Sequence, residues 1–469
     1  MLNAFANIFR IPELRNKVLF TLGVLAVYRI GFWIPIDGVD QSELVKAAST
    51  AAEGSSGFGR ILQFASIFSG GSLAQSTIFG LGIMPYITAS IIFQLLQSMV
   101  PALKELKKEG ASGQQKLMEW TRYVTVGLCI IQGFIWLNYL RDSNLVQPMF
   151  AAGGSRLIMF YVVGLTALTA GSLFLMWLGE QIDKYGIGNG VSIILTAGIL
   201  SRMPNAVTWV VENFNPKQGA EPGSIGIAGL AVLIAAFVGI TAGAVLMTVA
   251  QRRIPIVQAK HTRGRKVFGG QKHYLPLRVN HAGVMPIIFA SSLMIFPSAL
   301  FGGWDNGVAS DAWYKPLSQF LASESMIGKF PYIICEIALI YFFAYFWTTI
   351  QMSPEDMSKQ LKDHGSFVQG LRPGPRTAEY LQTVLGRITY VGAGFLAIIA
   401  VIPTIVTSAM DIPFEVSQFL GGTGLLIVVS VGLDVIQRLE SSLVMRNYTG
   451  FLGTGPGGGR GPKVRGARG

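Results

Sequence analysis

Apolar residues in this chain gather in long runs instead of alternating with polar ones. Ten such runs approach the ~20 residues needed to cross ~30 Å of hydrocarbon as a helix. They are Val18–Ile36, Ser76–Val100, Tyr123–Leu140, Leu157–Leu178, Gly188–Met203, Ile225–Val249, Ala282–Phe301, Phe330–Ile350, Ile388–Met410 and Phe419–Ile436. Gly188–Met203 is the shortest and is rich in small residues. A transmembrane β-barrel would show alternating segments of ~10 residues, and these runs are too long and too uniformly apolar for that. The pattern predicts an all-α polytopic membrane protein with ten transmembrane helices. Between the first two runs, residues 47–60 are small and polar and read as a flexible loop. The last stretch, "GTGPGGGRGPKVRGARG", reads as a disordered tail over 446–469.

Composition agrees: 51% of the 469 residues are hydrophobic and only 13% are charged, about half the charged share of soluble domains. Charge also sets an orientation. Of 37 lysines and arginines, 28 fall at the termini and in the loops that share their side, and 8 fall in the alternate loops. Basic residues in short loops stay in the cytosol, so both termini are predicted to be cytosolic. The first segment is polar over too long a stretch for a cleavable signal. Cys129 and Cys335 lie inside predicted spans without metal-ligand spacing and read as buried small hydrophobes.

The pattern excludes most chemistry. There is no G-x-x-x-x-G-K-[ST] loop and no H-E-x-x-H, and all four histidines lie in loops. "GAGFLA" at 392–397 lies within a span and has no βαβ setting. No cofactor, metal or catalytic residue is expected, and any driving energy must come from a partner. An ion-coupled transporter would keep an acid or histidine near the bilayer midplane. Glu180, Glu336 and Asp434 are placed towards span ends, and Arg29 is free to snorkel.

Three stretches invite a role. Residues 251–281 carry eight lysines and arginines and no acid. Residues Ile61–Phe68 form a short apolar amphipathic piece including Phe64 and Ile67, followed by the breakers Gly70 and Gly71. Such a piece either lies on the membrane surface or dips into a cavity of the protein. Ile83 and Ile87, and Val191 and Leu195, are apolar i,i+4 pairs, and Met285 and Ile288 are an i,i+3 pair. Pro85 and Pro286 lie inside two of these pairs, and Pro85 is expected to open its helix locally. Converging branched side chains form a constriction that dewets; the alternative is ordinary packing against lipid or neighbouring helices.

"RIGFWIPIDG" (29–38), "FSGGSLAQSTIFGLGIMPYITASIIFQLL" (68–96), "GIGNGVSI" (186–193), "LPLRVNHAGVMPIIFASSLMIFP" (275–297), "GLRPGPRTAEYL" (370–381) and "GGTGLLIVV" (421–429) resemble the SecY family. Its members are central subunits of the bacterial protein-secretion channel. The resemblance runs in order from about residue 10 to residue 445. It implies two inverted pseudo-symmetric halves, 1–205 (spans 1–5) and 206–445 (spans 6–10), around an hourglass pore. It also implies a lateral gate between spans 2 and 3 on one side and 7 and 8 on the other. The family's apolar ring falls on Ile83, Ile87, Leu195, Ile288 and Ile427, with Val191 and Met285 alongside, and its plug on about 61–74.

The resemblance further implies a bacterial inner-membrane setting, with SecE and SecG as small membrane subunits. Signal sequences, nascent polypeptides and lipid would be the other contacts. The ribosome or the SecA motor ATPase would dock on the loops 251–281 and 351–382. Arg252, Arg253, Lys260, Arg263, Arg265 and Lys266 would then meet ribosomal RNA phosphates or acidic surface on the motor, and Arg372 of "GLRPG" would couple to the same partners. Asp37 in "IPIDG", Pro375 and Arg376, the long 47–59 loop and the tail depart from the family pattern.

Overall fold

The computed structural model describes residues 11–44, 76–143, 145–151, 154–215, 225–258, 261–263, 266–268, 272–281, 283–287, 289–290, 293, 326–371, 374–410, 416 and 422–451. The candidate plug at 61–74, the 47–59 loop, the 452–469 part of the tail, and Lys260, Arg265, Ile288 and Arg372 lie outside them.

Helices dominate. In chain order they are α1 (Pro12–Gly31), α2 (Met84–Met99), α3 (Pro101–Lys108), α4 (Ala111–Asp142), α5 (Ser155–Tyr185), α6 (Gly190–Leu200), α7 (Met203–Glu212), α8 (Ile227–Val249), α9 (Met326–Gln351), α10 (Pro354–Asp363), α11 (Pro375–Met410) and α12 (Thr423–Phe451), with a single turn at Pro148–Ala151. Six stretches among the described residues are long and apolar enough to cross a membrane. They coincide with the predicted third to sixth, eighth and ninth spans. The helices α1, α2 and α12 and the helical residues 285–287 and 289–290 overlap the other four, α1 beginning before its run and α12 ending beyond it.

The second run is shorter as a helix than its apolarity suggests. Residues 76–83 form tight turns, with Gly80 N–H bonded to Thr77 O (2.8 Å) and Gly82 N–H to Phe79 O (2.8 Å). Gly82 has φ +58°, a conformation that breaks a helix. Helix α2 starts only at Met84, with Pro85 in its first turn. There the missing N–H is one that no helix satisfies internally, so Pro85 begins the helix and does not open it. The turn region is held to the end of α1: Ile36 N–H bonds to Ser76 O (2.9 Å) and Ile78 N–H to Ile34 O (3.0 Å).

The fifth run extends further than its sequence boundary. α6 and α7 are separated by two residues, and together 190–212 make one 23-residue apolar stretch. The 101–122 segment, expected as a loop, is mostly α3 and the first turns of α4. At 32 and 31 residues, α4 and α5 are each about 47 Å long, more than hydrocarbon requires. A fork of hydrogen bonds ties them, Arg122 Nε to Glu180 Oε1 (3.0 Å) and Nη2 to Oε2 (2.8 Å).

The basic segment after α8 is a hairpin, not an irregular loop. β1 (Gln251–Gln258) pairs antiparallel with β4 (Lys272–Arg278), and β2 (His261–Arg263) with β3 (Lys266–Phe268). β5 (Ser366–Val368), from the segment between α9 and α11, joins the free edge of β1, with Ile256 opposite Val368. The sheet order is β4-β1-β5. Ile254, Leu277 and Val368 are buried against Leu381, Val384, Leu385 and Ile388 of α11. This sheet therefore unites two basic segments that are about 90 residues apart on the end of one membrane helix. The side of the molecule that carries it is the basic face below.

Candidate apolar constriction and basic docking face

Four of the seven candidate ring residues converge. Ile83, Ile87, Leu195 and Ile427 are 2%, 8%, 4% and 2% exposed and belong to one buried apolar cluster, with Val191 packed on it. Each is delivered by the start of a helix. Ile83 is the N-cap of α2, and its carbonyl accepts from Ile87 N–H at 3.1 Å, which holds both side chains on one face. Val191 and Leu195 lie in the first turns of α6, and Ile427 in the first turns of α12. Phe79, Tyr28 and Phe32 stand behind them, stacked or edge-on to one another.

The start of α6 is fixed by polar contacts just outside the cluster. Asn189 caps the helix by accepting from Ser192 N–H (3.0 Å), and Gly190 N–H donates to Asp183 Oδ1 (2.7 Å). A side chain at 190 would meet Gly179 O at 1.9 Å, and one at 171 would meet Ile78 O at 2.1 Å. Backbone approaches this close admit only glycine. They press α6 and the 76–83 turns onto α5, and so aim Val191, Leu195 and Ile83 inwards.

Of the remaining two candidates, Ile288 lies outside the described residues and Met285 is placed differently. Met285 packs in a separate cluster with Phe289 and Trp347. Among the described residues of that segment, its neighbour Val284 packs against the Ile83–Ile427 cluster. The i,i+3 spacing gave no sign of this, because spacing fixes a face but not which neighbour it meets. The span acids are largely accounted for. Glu180 is paired as above, and Asp434 accepts from Arg438 Nε at 2.9 Å. Glu336, expected near a span end, is the fourth residue of the membrane-length stretch Ile333–Asp363 and is buried. Arg29 lies over the Phe32 ring at 5.5 Å. Among the described residues no group of histidine, cysteine or acidic side chains could hold a metal ion.

On the basic face, Arg252 and Arg253 are exposed on β1. Arg263 and Lys266 are partners across the hairpin's distal end. Arg278, at the end of β4, donates to Gln437 Oε1 of α12 (3.2 Å), and its carbonyl meets His281 Nδ1 (2.8 Å).

A family model for SecY matches residues 77–436. The chain belongs to the SecY family. The protein translocase subunit SecY of Streptomyces coelicolor is 42% identical over 465 residues, covering 96% of this chain and all of that protein. A solved protein-conducting channel superposes with a TM-score of 0.59 at 17% identity, over 93% of this chain and 94% of that one. Sec61 from a canine ribosome–channel complex gives 0.55 at 16%, over the same shares. These two share the fold. Among the described residues the apolar runs of this SecY-family chain are mostly helical, as predicted, apart from the turns at 76–83, and the small sheet on the basic face is a feature that the runs did not announce.

Proposed function

We propose that this chain is the pore subunit of a protein-conducting channel, passing unfolded secretory polypeptides across the membrane and releasing apolar helices sideways into lipid. The observation that carries the reading is the meeting of Ile83, Ile87, Leu195 and Ile427, from three separate helix starts, in one buried apolar cluster of a chain that belongs to the SecY family. A translocating polypeptide presents every kind of side chain, so its seal must be deformable and chemically indifferent. Branched apolar groups can part around an extended strand and close by dewetting when it leaves. The segment 61–74 would act as the plug on the outer side of this ring, and the halves 1–205 and 206–445 would part at the lateral gate.

The basic face would be cytosolic, with the chain in the bacterial inner membrane beside SecE and SecG. Arg252, Arg253, Lys260, Arg263, Arg265, Lys266 and Arg372 would receive the ribosome's RNA phosphates or the SecA motor. Force comes from those partners, since the chain supplies a path and not a reaction. Because β5 is hydrogen-bonded to β1, the two basic segments would respond to a docked partner as one body.

The test is resting conductance in planar bilayers containing the assembled channel. Replacing Ile83, Ile87 and Ile427 together with Asn should raise resting ion current while the protein still inserts and assembles. Unchanged current in a correctly assembled variant would remove the ring from the reading.

A further inference from the structure

A cleft of about 910 Å³ opens between α9, α10 and α11, away from the Ile83 cluster. Its volume is that of a small-molecule site. One face of each helix lines it. Along α11 the lining runs from Pro375 to Thr389, about 21 Å of helix, from the basic face down into an apolar stretch that can cross the membrane.

The two ends of the cleft differ in chemistry. At the basic-face end stand Glu355, Lys359 and Lys362 on α10 and Glu379 on α11. All four are exposed, and among the described residues none of them forms an ion pair. At the other end lie Tyr345, Leu385 and Gly386, where Tyr345 Oη donates to Gly386 O (3.2 Å). A side chain at 386 would meet nothing within 4 Å, so the glycine leaves the lower cleft open.

We infer that this cleft binds one aminophospholipid, its phosphate between Lys359 and Lys362, its ammonium on Glu355 or Glu379, and an acyl chain along Tyr345 and Gly386. Two cations and two carboxylates at one mouth complement a zwitterion better than a purely anionic ligand, which would meet the carboxylates at a cost. The threonines of the lower wall, Thr348, Thr349 and Thr389, engage their hydroxyls within and between α9 and α11. Beside Leu385 and Gly386 that wall therefore offers an acyl chain a largely apolar surface, in a stretch where lipid chains are the available solvent. A free phosphate would leave that wall empty. A lipid seated there would brace α10 against α11, and through β5 the whole sheet of the basic face.

Native mass spectrometry of the purified chain in a neutral detergent, titrated with phosphatidylethanolamine, tests this. One tight equivalent is expected. Lys359→Gln with Lys362→Gln should weaken it about ten-fold, the loss of a charge-assisted hydrogen bond. Lys359→Arg with Lys362→Arg should retain it, and Gly386→Leu should exclude the chain. Phosphatidylcholine, whose ammonium has no N–H to donate, should bind more weakly, and inorganic phosphate or glycerophosphoethanolamine should not compete. Equal binding by the Gln variant, or displacement by either soluble competitor, would overturn the proposal. So would a photoreactive group at position 386 that labels a partner membrane helix instead of lipid in the assembled channel. None of these readouts depends on translocation, so the cleft and the pore stand or fall separately.

Discussion

Ile83 illustrates how one residue can be legible in part. Its i,i+4 relation to Ile87 was visible in the sequence and survives in the structure, although Ile83 caps the helix instead of lying within it. Val191 and Leu195 were visible for the same reason. Ile427 was not: it carries no distinctive spacing, and only the resemblance pointed to it. Met285 shows the converse, a regular pair whose side chain packs elsewhere. The packing glycines were also missed, because a glycine in an apolar run looks the same whether or not a carbonyl lies 1.9 Å from its absent Cβ. Gly190→Ala should therefore destabilise the α5–α6 contact by about 1–3 kcal/mol, since a backbone carbonyl cannot step aside cheaply; a lowered unfolding midpoint in detergent would show it. Arg122→Ala should cost only about 0.5–1 kcal/mol, because the Arg122–Glu180 fork is partly solvent-exposed with 45% and 30% side-chain accessibility.

At the scale of elements, the apolar runs located the membrane helices well and their ends poorly. Hydrocarbon dictates apolarity over a span, but glycine turns, prolines and caps dictate where the helix starts, as at Gly82–Pro85 and Asn189–Gly190. The hairpin on the basic face was hidden by its charge. Ile254 and Ile256 sit two residues apart in "RRIPIVQ", and their burial alternates with exposed neighbours, a strand period that the density of arginines and the intervening Pro255 obscured. The pairing of β5 with β1 could not be read at all, since it joins segments with α9 and α10 between them. Ile256→Asp should place a charge in the buried face of that sheet and loosen both segments together, seen as faster amide exchange in 251–258 and in 366–368. Exchange confined to one segment would show that they move independently. Charge reversal at Arg263, Arg265 and Lys266 should weaken ribosome binding and lower the slope of log affinity against log salt by about 2, the signature of lost phosphate contacts. A loss of binding with an unchanged slope would point to misfolding.

For the whole molecule, the account makes one path: docking on the basic face, passage through the apolar cluster, and departure across the membrane or into it. That order rests on the proposed function; the structure gives its two ends as separate clusters, the sheet packed on α11 and the meeting of Ile83, Ile87, Leu195 and Ile427. The measurement that tests it most directly is photo-crosslinking. A secretory nascent chain, stalled on a ribosome bound to the assembled channel, carries a photoreactive residue just beyond the ribosomal exit, and the adducts are mapped by residue. The account predicts adducts at Ile83, Ile87, Leu195 or Ile427. Adducts confined to 251–281 and 351–382 would make the chain a docking receptor and contradict the channel reading.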